Sequence, residues 1–369
     1  MPAWRDAPPY AMTDMIAAEP ALAERLLLAL ADDPVTGRLA DAIRAAVLAG
    51  QHVTFTGCGT SEHAAMAAAA IVAETLRSGD ADARVRPAQA FELHGRPQPS
   101  GAVVAISHEG GTWATNEALR EAGEAGCATA LITVSDRSPG ARLAQHLIQT
   151  REQDQSWCHT VGYLSPMLAA TALAAALRDT RTDPIATRAL LDTADAAPVA
   201  ETVAAALVAC DRLLVTGTGA DFGAARELAL KVEEGVHLPS TALQLETVLH
   251  GHLAAAGERT GLVLILTDAE TRGDVALERA KAVLRSAAAL GMPAAAIVAA
   301  DLGDDLNAEL TPAGRMAVPL SGRLPRMEAA LLGSAIPLQQ LAERLARARG
   351  TNPDTIGRDD PRHAAAADA

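Results

Sequence analysis

A chain that repeats one strand, glycine loop and helix at a fixed interval has few folds open to it. Val53–Thr56 is a short apolar strand that runs into Gly57-Cys-Gly-Thr-Ser61 and then into an alanine-rich helix. Arg212–Thr216 does the same, ending in Gly217-Thr-Gly219 before a helix that contains Ala224–Glu234. Gly57 precedes Ser107, at the end of a later strand, by 50 residues, and Gly217 precedes Thr267 by 50. Equal internal spacing predicts a duplication, two similar α/β units in tandem. Each glycine loop lets the backbone approach a ligand. The free N–H groups of the helix after it suit anions and hydroxyl-rich molecules.

Further strands are expected at Ala83–Pro87, Val103–Ser107, Ala128–Val134 and Leu147–Thr150 in the first half. In the second half they are expected at Ala242–Leu245, Leu262–Thr267, Ala295–Ala299 and Met316–Leu320. Strands alternating with helices call for parallel sheets covered on both faces. Thr13 reads as an N-cap, and Pro20 should interrupt or reorient the helix that Ile16 begins. The expected division is a helical lead over 1–37, a first α/β unit over 38–195, a second over 196–349 and a tail over 350–369. That tail, rich in Asp, Pro and Ala, shows no apolar periodicity, so the sequence leaves its order open.

Of the 369 residues 49% are apolar and only 2% aromatic, so the core must be Ala, Val and Leu. A net charge of −14 argues against nucleic acid or an anionic membrane as the main partner. It leaves a phosphorylated ligand open, since a distant net charge is screened beyond roughly 8–10 Å. Four widely spaced cysteines without a CxxC pair read as reduced thiols and a cytoplasmic setting. No apolar run reaches the length of a membrane span, and no signal peptide is evident at the start.

Two further stretches carry chemistry. Ser107-His108-Glu109-Gly110-Gly111-Thr112 comes after a strand and opens a helix, and its hydroxyls and glycines can meet Thr60 and Ser61 at the carboxyl edge of the sheet. The plainer reading is that Ser107 and Thr112 only cap that helix. Glu227, Lys231 and Glu234 share one helix face, which without other context reads as a solvated charged stripe. His250 and His252 lack a third ligand at helical spacing, so no metal is expected, and no cofactor.

Together these stretches resemble the sugar isomerase (SIS) domain proteins, above all the isomerase half of glucosamine-6-phosphate synthase and the related sugar-phosphate deaminases and deglycases. Gly57-Cys58-Gly59-Thr60-Ser61 is similar to the first ligand loop. Ser107 to Thr112 is similar to the Ser-x-Ser-Gly-x-Thr loop. Ala229-Leu-Lys231-Val-Glu-Glu234 through His250-Gly251 is similar to the Ala-Leu-Lys-x-x-Glu helix and its later His-Gly. Met12–Pro20 and Ile336–Gln339 resemble the lead-in and closing helices. The likeness spans essentially the whole chain. It implies two tandem SIS domains, each a three-layer αβα, flavodoxin-like unit.

The resemblance also implies roles. Glu234 would move a proton between C1 and C2 of an open-chain sugar. Lys231 would steady the enediolate or Glu234 itself, and His250 would assist ring opening in a partner subunit's pocket, which implies a homodimer. Gly57 to Ser61 with Ser107, His108, Glu109, Gly110 and Thr112 would hold the sugar or sugar phosphate. Two positions depart from the pattern. Glu109 stands where the family has a phosphate-binding serine. At about 5 Å and an effective dielectric near 20 it would repel a phosphate dianion by roughly 6 kcal/mol. Either Glu109 turns away, or it binds sugar hydroxyls and the ligand has no phosphate there. The tail carries no lysine, the two in the chain being Lys231 and Lys281, so imine chemistry on a tail amine is not expected. Nor is glutamine-dependent amination, since the sequence opens without a terminal cysteine or an amidotransferase domain. The alternatives are a deaminase or deglycase, which would release an amine, and a non-catalytic sugar-phosphate sensor. Glu234 and His250 at family spacing count against the sensor. The second half's matching loop, Thr267-Asp-Ala-Glu-Thr271, is acidic, so one working pocket per chain is expected.

Overall fold

A computed structural model describes residues 5–77, 84–268, 274–303 and 305–367. Ala83 of the expected second strand and Ala269, Glu270 and Thr271 of the acidic loop lie outside them.

All ten expected strands form, each within a few residues of the expected range. The first sheet holds β1 (Val53–Gly57), β2 (Val85–Gln89), β3 (Ala102–Ile106), β4 (Ala128–Thr133) and β5 (His146–Gln149), in the order β2-β1-β3-β4-β5. The second holds β6 (Arg212–Gly217), β7 (Ser240–Gln244), β8 (Thr260–Leu266), β9 (Ala294–Ala299) and β10 (Gly314–Val318), in the order β10-β9-β8-β6-β7. Taken from the other edge, the second order is the first. Every pair is parallel. The central strands β1, β3, β8 and β9 are buried at every position, as strands covered on both faces require.

The first half carries α1 (Ala11–Ala31), α2 (Pro34–Leu48), α3 (Thr60–Thr75), α4 (Trp113–Glu124), α5 (Val161–Leu177) and α6 (Pro184–Thr193). The second carries α7 (Ala197–Leu207), α8 (Asp221–Lys231), a short α9 (Leu245–Val248), α10 (Asp274–Ala289) and α11 (Arg326–Arg349), before α12 (Pro361–Ala367). Asp33 and Asp183 cap α2 and α6, each with a proline next to it at the first helical position. One apolar core runs from α1, α2, α3 and α5 across to α7, α8 and α11, taking one face of each sheet. The outer face of the second sheet has its own core with α10.

Two expectations at the N-terminus are corrected. α1 starts at Ala11 with Tyr10 as its N-cap and runs through Pro20. A proline removes one backbone bond, but buried Ile16, Leu22, Ala23, Leu26 and Leu27 hold the helix on both sides of it. Thr13 lies inside the helix and donates to Glu343 (2.8 Å). The actual cap comes from the tail. The buried Asp354 carboxylate accepts from the N–H groups of Ala11 (2.7 Å) and Met12 (2.9 Å). The tail is therefore packed, and Pro353 and Thr351 lie against Gly235.

Asp354→Ala should cost about 1–3 kcal/mol by stranding two N–H groups at the start of α1. A fall in the urea or thermal midpoint measures it; an unchanged midpoint would mean that this cap is dispensable.

Candidate active site

The two glycine loops have the same geometry. Gly59 and Gly219 take positive φ, 58° and 59°. A Cβ on Gly57 would lie 2.6 Å from the backbone of Ser61, and one on Gly217 would lie 2.7 Å from that of Asp221. Only glycine lets each strand turn this tightly into its helix. In the first sheet the loops after β1 and β3 adjoin at the point where the strand order reverses, the crevice that ligands use in such sheets. Gly57 to Ser61 and Ser107 to Thr112 therefore sit side by side at one edge. The hydroxyls of Ser107 and Thr112 are 3.4 Å apart, and Thr112 makes no side-chain cap bond to α4, so helix capping does not account for it.

In the second sheet the loop after β6 is tied to the end of β8. The buried Asp221 carboxylate accepts from the backbone of Thr267 (2.8 Å) and Asp268 (3.1 Å). Burial raises Asp221 to about 6.

The helices after the two glycine loops, α3 and α8, pack on each other. Gly223 of α8 lets His63 and Met66 of α3 come close. Where they meet, Lys231 is fully buried and its Nζ has three partners: Thr60 Oγ1 at 2.9 Å, Glu227 Oε1 at 3.0 Å and Glu234 Oε2 at 3.0 Å. An ammonium has three protons, so this one is saturated. Glu227, also fully buried, accepts from Thr60 Oγ1 (3.2 Å) and pairs with His63 Nδ1 (2.7 Å). The charged stripe is thus not solvated, which overturns the plain reading of its spacing. Burial alone would raise Glu227, but Lys231 and His63 pull it down to about 2. Burial alone would lower Lys231, but Glu227 and Glu234 hold it well above its usual value.

Glu234 stands apart. It lies on a π-helical turn, Val232–Val236, that continues α8 and ends in His237 with φ 54°. The wider turn carries its carboxyl toward the surface, with 23% of the side chain exposed. Burial raises its pKa in spite of Lys231. A partly exposed carboxyl of raised pKa, fixed by a cation and open on one side, is a competent proton carrier.

The sequence singled out His250, but within one chain it does not join this cluster. It is 70% exposed at the end of α9 and bonds Glu246 at 3.0 Å. Cys58 is partly exposed beside Thr115 and Gln89, whereas Cys127, Cys158 and Cys210 are buried and all four are unpaired. Ser61 is half-buried at the start of α3. Gly110, with φ 65°, packs on Ser138. Glu109 is exposed and accepts from Gln153 Nε2 (3.1 Å). His108 is buried and neutral: burial lowers it to about 4, and its Nε2 accepts from the Asp154 N–H (3.0 Å).

Sequence reasoning passed over residues 153–160. The Asp154 carboxylate accepts from the N–H groups of Ser156, Thr160 and Gly162 at the start of α5, and burial raises it to about 6. Cys158 packs against Lys231 and Gly235. No periodicity marks this loop. Its one signal was the acceptor-rich Asp-x-Ser just before an apolar helix. His94, Glu117 and Glu121 also bring ligand atoms within 4.8 Å of one another, but Arg120 and His94 already pair with the two carboxylates.

Residues 49–177 match the sequence model of the SIS domain. That stretch is a SIS domain. The chain is 28% identical over 311 residues to glutamine–fructose-6-phosphate aminotransferase (isomerizing) of Halobacterium salinarum, covering 79% of this chain and 48% of the relative. It thus spans about half the length of that protein. In fold it is similar to the C-terminal domain of glucosamine-fructose-6-phosphate aminotransferase from Francisella tularensis (TM-score 0.77, 20% identity, 95% of this chain and 99% of that one). It is also similar to tagatose-6-phosphate ketose/aldose isomerase from Escherichia coli (TM-score 0.70, 18% identity, 97% of each chain). A third likeness is to glucosamine-6-phosphate deaminase from Thermotoga maritima (TM-score 0.67, 19% identity, 94% and 95%). These are likenesses of fold, and they extend the SIS architecture over both sheets. No helix among the described residues is long and apolar enough to cross a membrane.

Lys231→Met should destabilise the protein by about 3–5 kcal/mol, because it leaves Glu227 buried without its cation. The folded Glu227 titrates at about 2 against an ordinary 4.5, so its stabilisation is present above pH 4.5 and is lost as pH falls toward 2. Denaturation profiles of Glu227→Gln should therefore be flatter than those of the wild type in that window.

Proposed function

We propose that this SIS protein is an enzyme that moves a proton between C1 and C2 of an open-chain sugar or sugar derivative, with Glu234 as the base. The observation that carries the reading is the position of Lys231, which bonds Thr60 of the first glycine loop and Glu234 of the second half at once. One side chain therefore fixes the proton carrier relative to the ligand loop. Aldose–ketose interconversion needs one group that takes the proton α to a carbonyl and returns it to the next carbon. The raised pKa of Glu234 suits that exchange. Lys231 has no free proton to offer a substrate, so it acts as a positioning residue that orients Glu234. Of the two roles the family resemblance implied for it, this is the one that its saturation supports.

We place the ligand contacts in a unit over 38–195 and the base in a unit over 196–349. Asp221, which takes up the N–H groups of Thr267 and Asp268 after β8, supports one working pocket per chain. The outward position of His250 supports its use in a neighbouring copy, and so a homodimer. The unpaired cysteines support a reducing, cytoplasmic setting. The same proton shift also serves a deaminase or deglycase, and release of an amine in the assay would mark that reaction.

The test is incorporation of solvent deuterium at C1 or C2 across a panel of sugars, sugar phosphates and amino sugars. Glu234→Gln should slow exchange by about 10²–10⁴-fold while ligand binding survives. Undiminished exchange in that variant would remove Glu234 as the base.

A further inference from the structure

Between Glu109 and the loop before α5 the surface opens into a hollow of about 550 Å³, walled by Glu109, residues 153–157 and His159. Cys158, in the same loop but buried behind the wall, packs on Lys231 and Gly235 on the side of the candidate base. The charge of the hollow is one-sided. Among the described residues no lysine or arginine lines it. Glu109 is exposed, and the bond to its carboxylate comes from the amide of Gln153. His159 packs against His108 with ring centroids 4.8 Å apart, and burial lowers it to about 3, so it brings no charge. A neighbouring guanidinium, Arg358 of the tail, stacks on Trp157 at 4.2 Å and is not part of the wall. Among the described residues Ser156 Oγ and Trp157 Nε1 keep no partner, but both atoms are buried behind the wall and do not face the hollow. The exposed carboxylate of Glu109 and the amide of Gln153, with no cation beside them in the wall, match an uncharged ligand with many hydroxyls.

We propose that this hollow receives the far end of the sugar as a bare polyol, with Glu109 and Gln153 accepting and donating to its hydroxyls, and that Glu109 is the residue that excludes a phosphate. The proposal rests on the sugar-binding reading above but not on the identity of the base. A dianion seated here would face a carboxylate with no cation in the wall, whereas hydroxyls supply the donors that Glu109 lacks.

The test is binding rather than turnover, and it is run in the wild type and in Glu234→Gln. Matched pairs are titrated calorimetrically: fructose against fructose 6-phosphate, and glucosamine against glucosamine 6-phosphate. Inorganic phosphate is followed by phosphorus NMR. In the wild type no phosphorylated sugar should bind more tightly than its free partner. Glu109→Ser should strengthen binding of the phosphorylated members and of inorganic phosphate by about tenfold or more. Glu109→Gln should keep affinity for the free sugars. Glu109 is exposed, so neither change threatens the fold. A wild type that prefers the phosphorylated member by about tenfold, or a preference that Glu109→Ser leaves unmoved, would overturn the proposal. So would a wild type that binds none of the free sugars. Loss of exchange with the binding pattern intact would instead count against the reaction alone.

Discussion

Three bonds to one buried ammonium join the two halves of this molecule. Lys231 takes its charge fully out of water, a cost that is met only when every proton and both carboxylates find partners. Thr60 belongs to the first half, and Glu227, Lys231 and Glu234 to the second. The ion cluster is therefore also the joint between two sheets built to the same plan. An apolar joint could have held α3 and α8 together as firmly. It could not have set one carboxyl at a defined position beside the first glycine loop.

The duplication explains how such a joint arises. Two copies of one unit present two equivalent glycine loops and two equivalent crevices, and in this chain they have diverged. In the first crevice the hydroxyls of Ser107 and Thr112 meet each other, while that of Thr60 is taken up by Lys231 and Glu227. In the second, the Asp221 carboxylate occupies the N–H groups of Thr267 and Asp268. The second half instead contributes the helix after its loop, which ends in a wider π turn. The 50-residue spacing is the same in both halves while their loops differ.

The architecture was largely legible because its signals are local. Alternation of apolar strands with helices, and glycines at strand ends, located all ten strands. The errors came where distant contacts decide. Pro20 reads as a break until the buried residues on both sides of it are seen, and Thr13 reads as a cap because the actual cap, Asp354, is 343 positions away from Ala11. Glu227 and Lys231 read as a wet stripe since nothing in their spacing says that α3 will cover them. Residues 153–160 went unremarked for a related reason. Loops carry no periodicity, so neither the wall they give the hollow nor Asp154 at the start of α5 left a pattern to find.

The lead helix and the segment after α11 meet at one carboxylate, since Asp354 holds the first turn of α1. Trimming from either side would loosen the other, because the lead helix and the tail share one anchor.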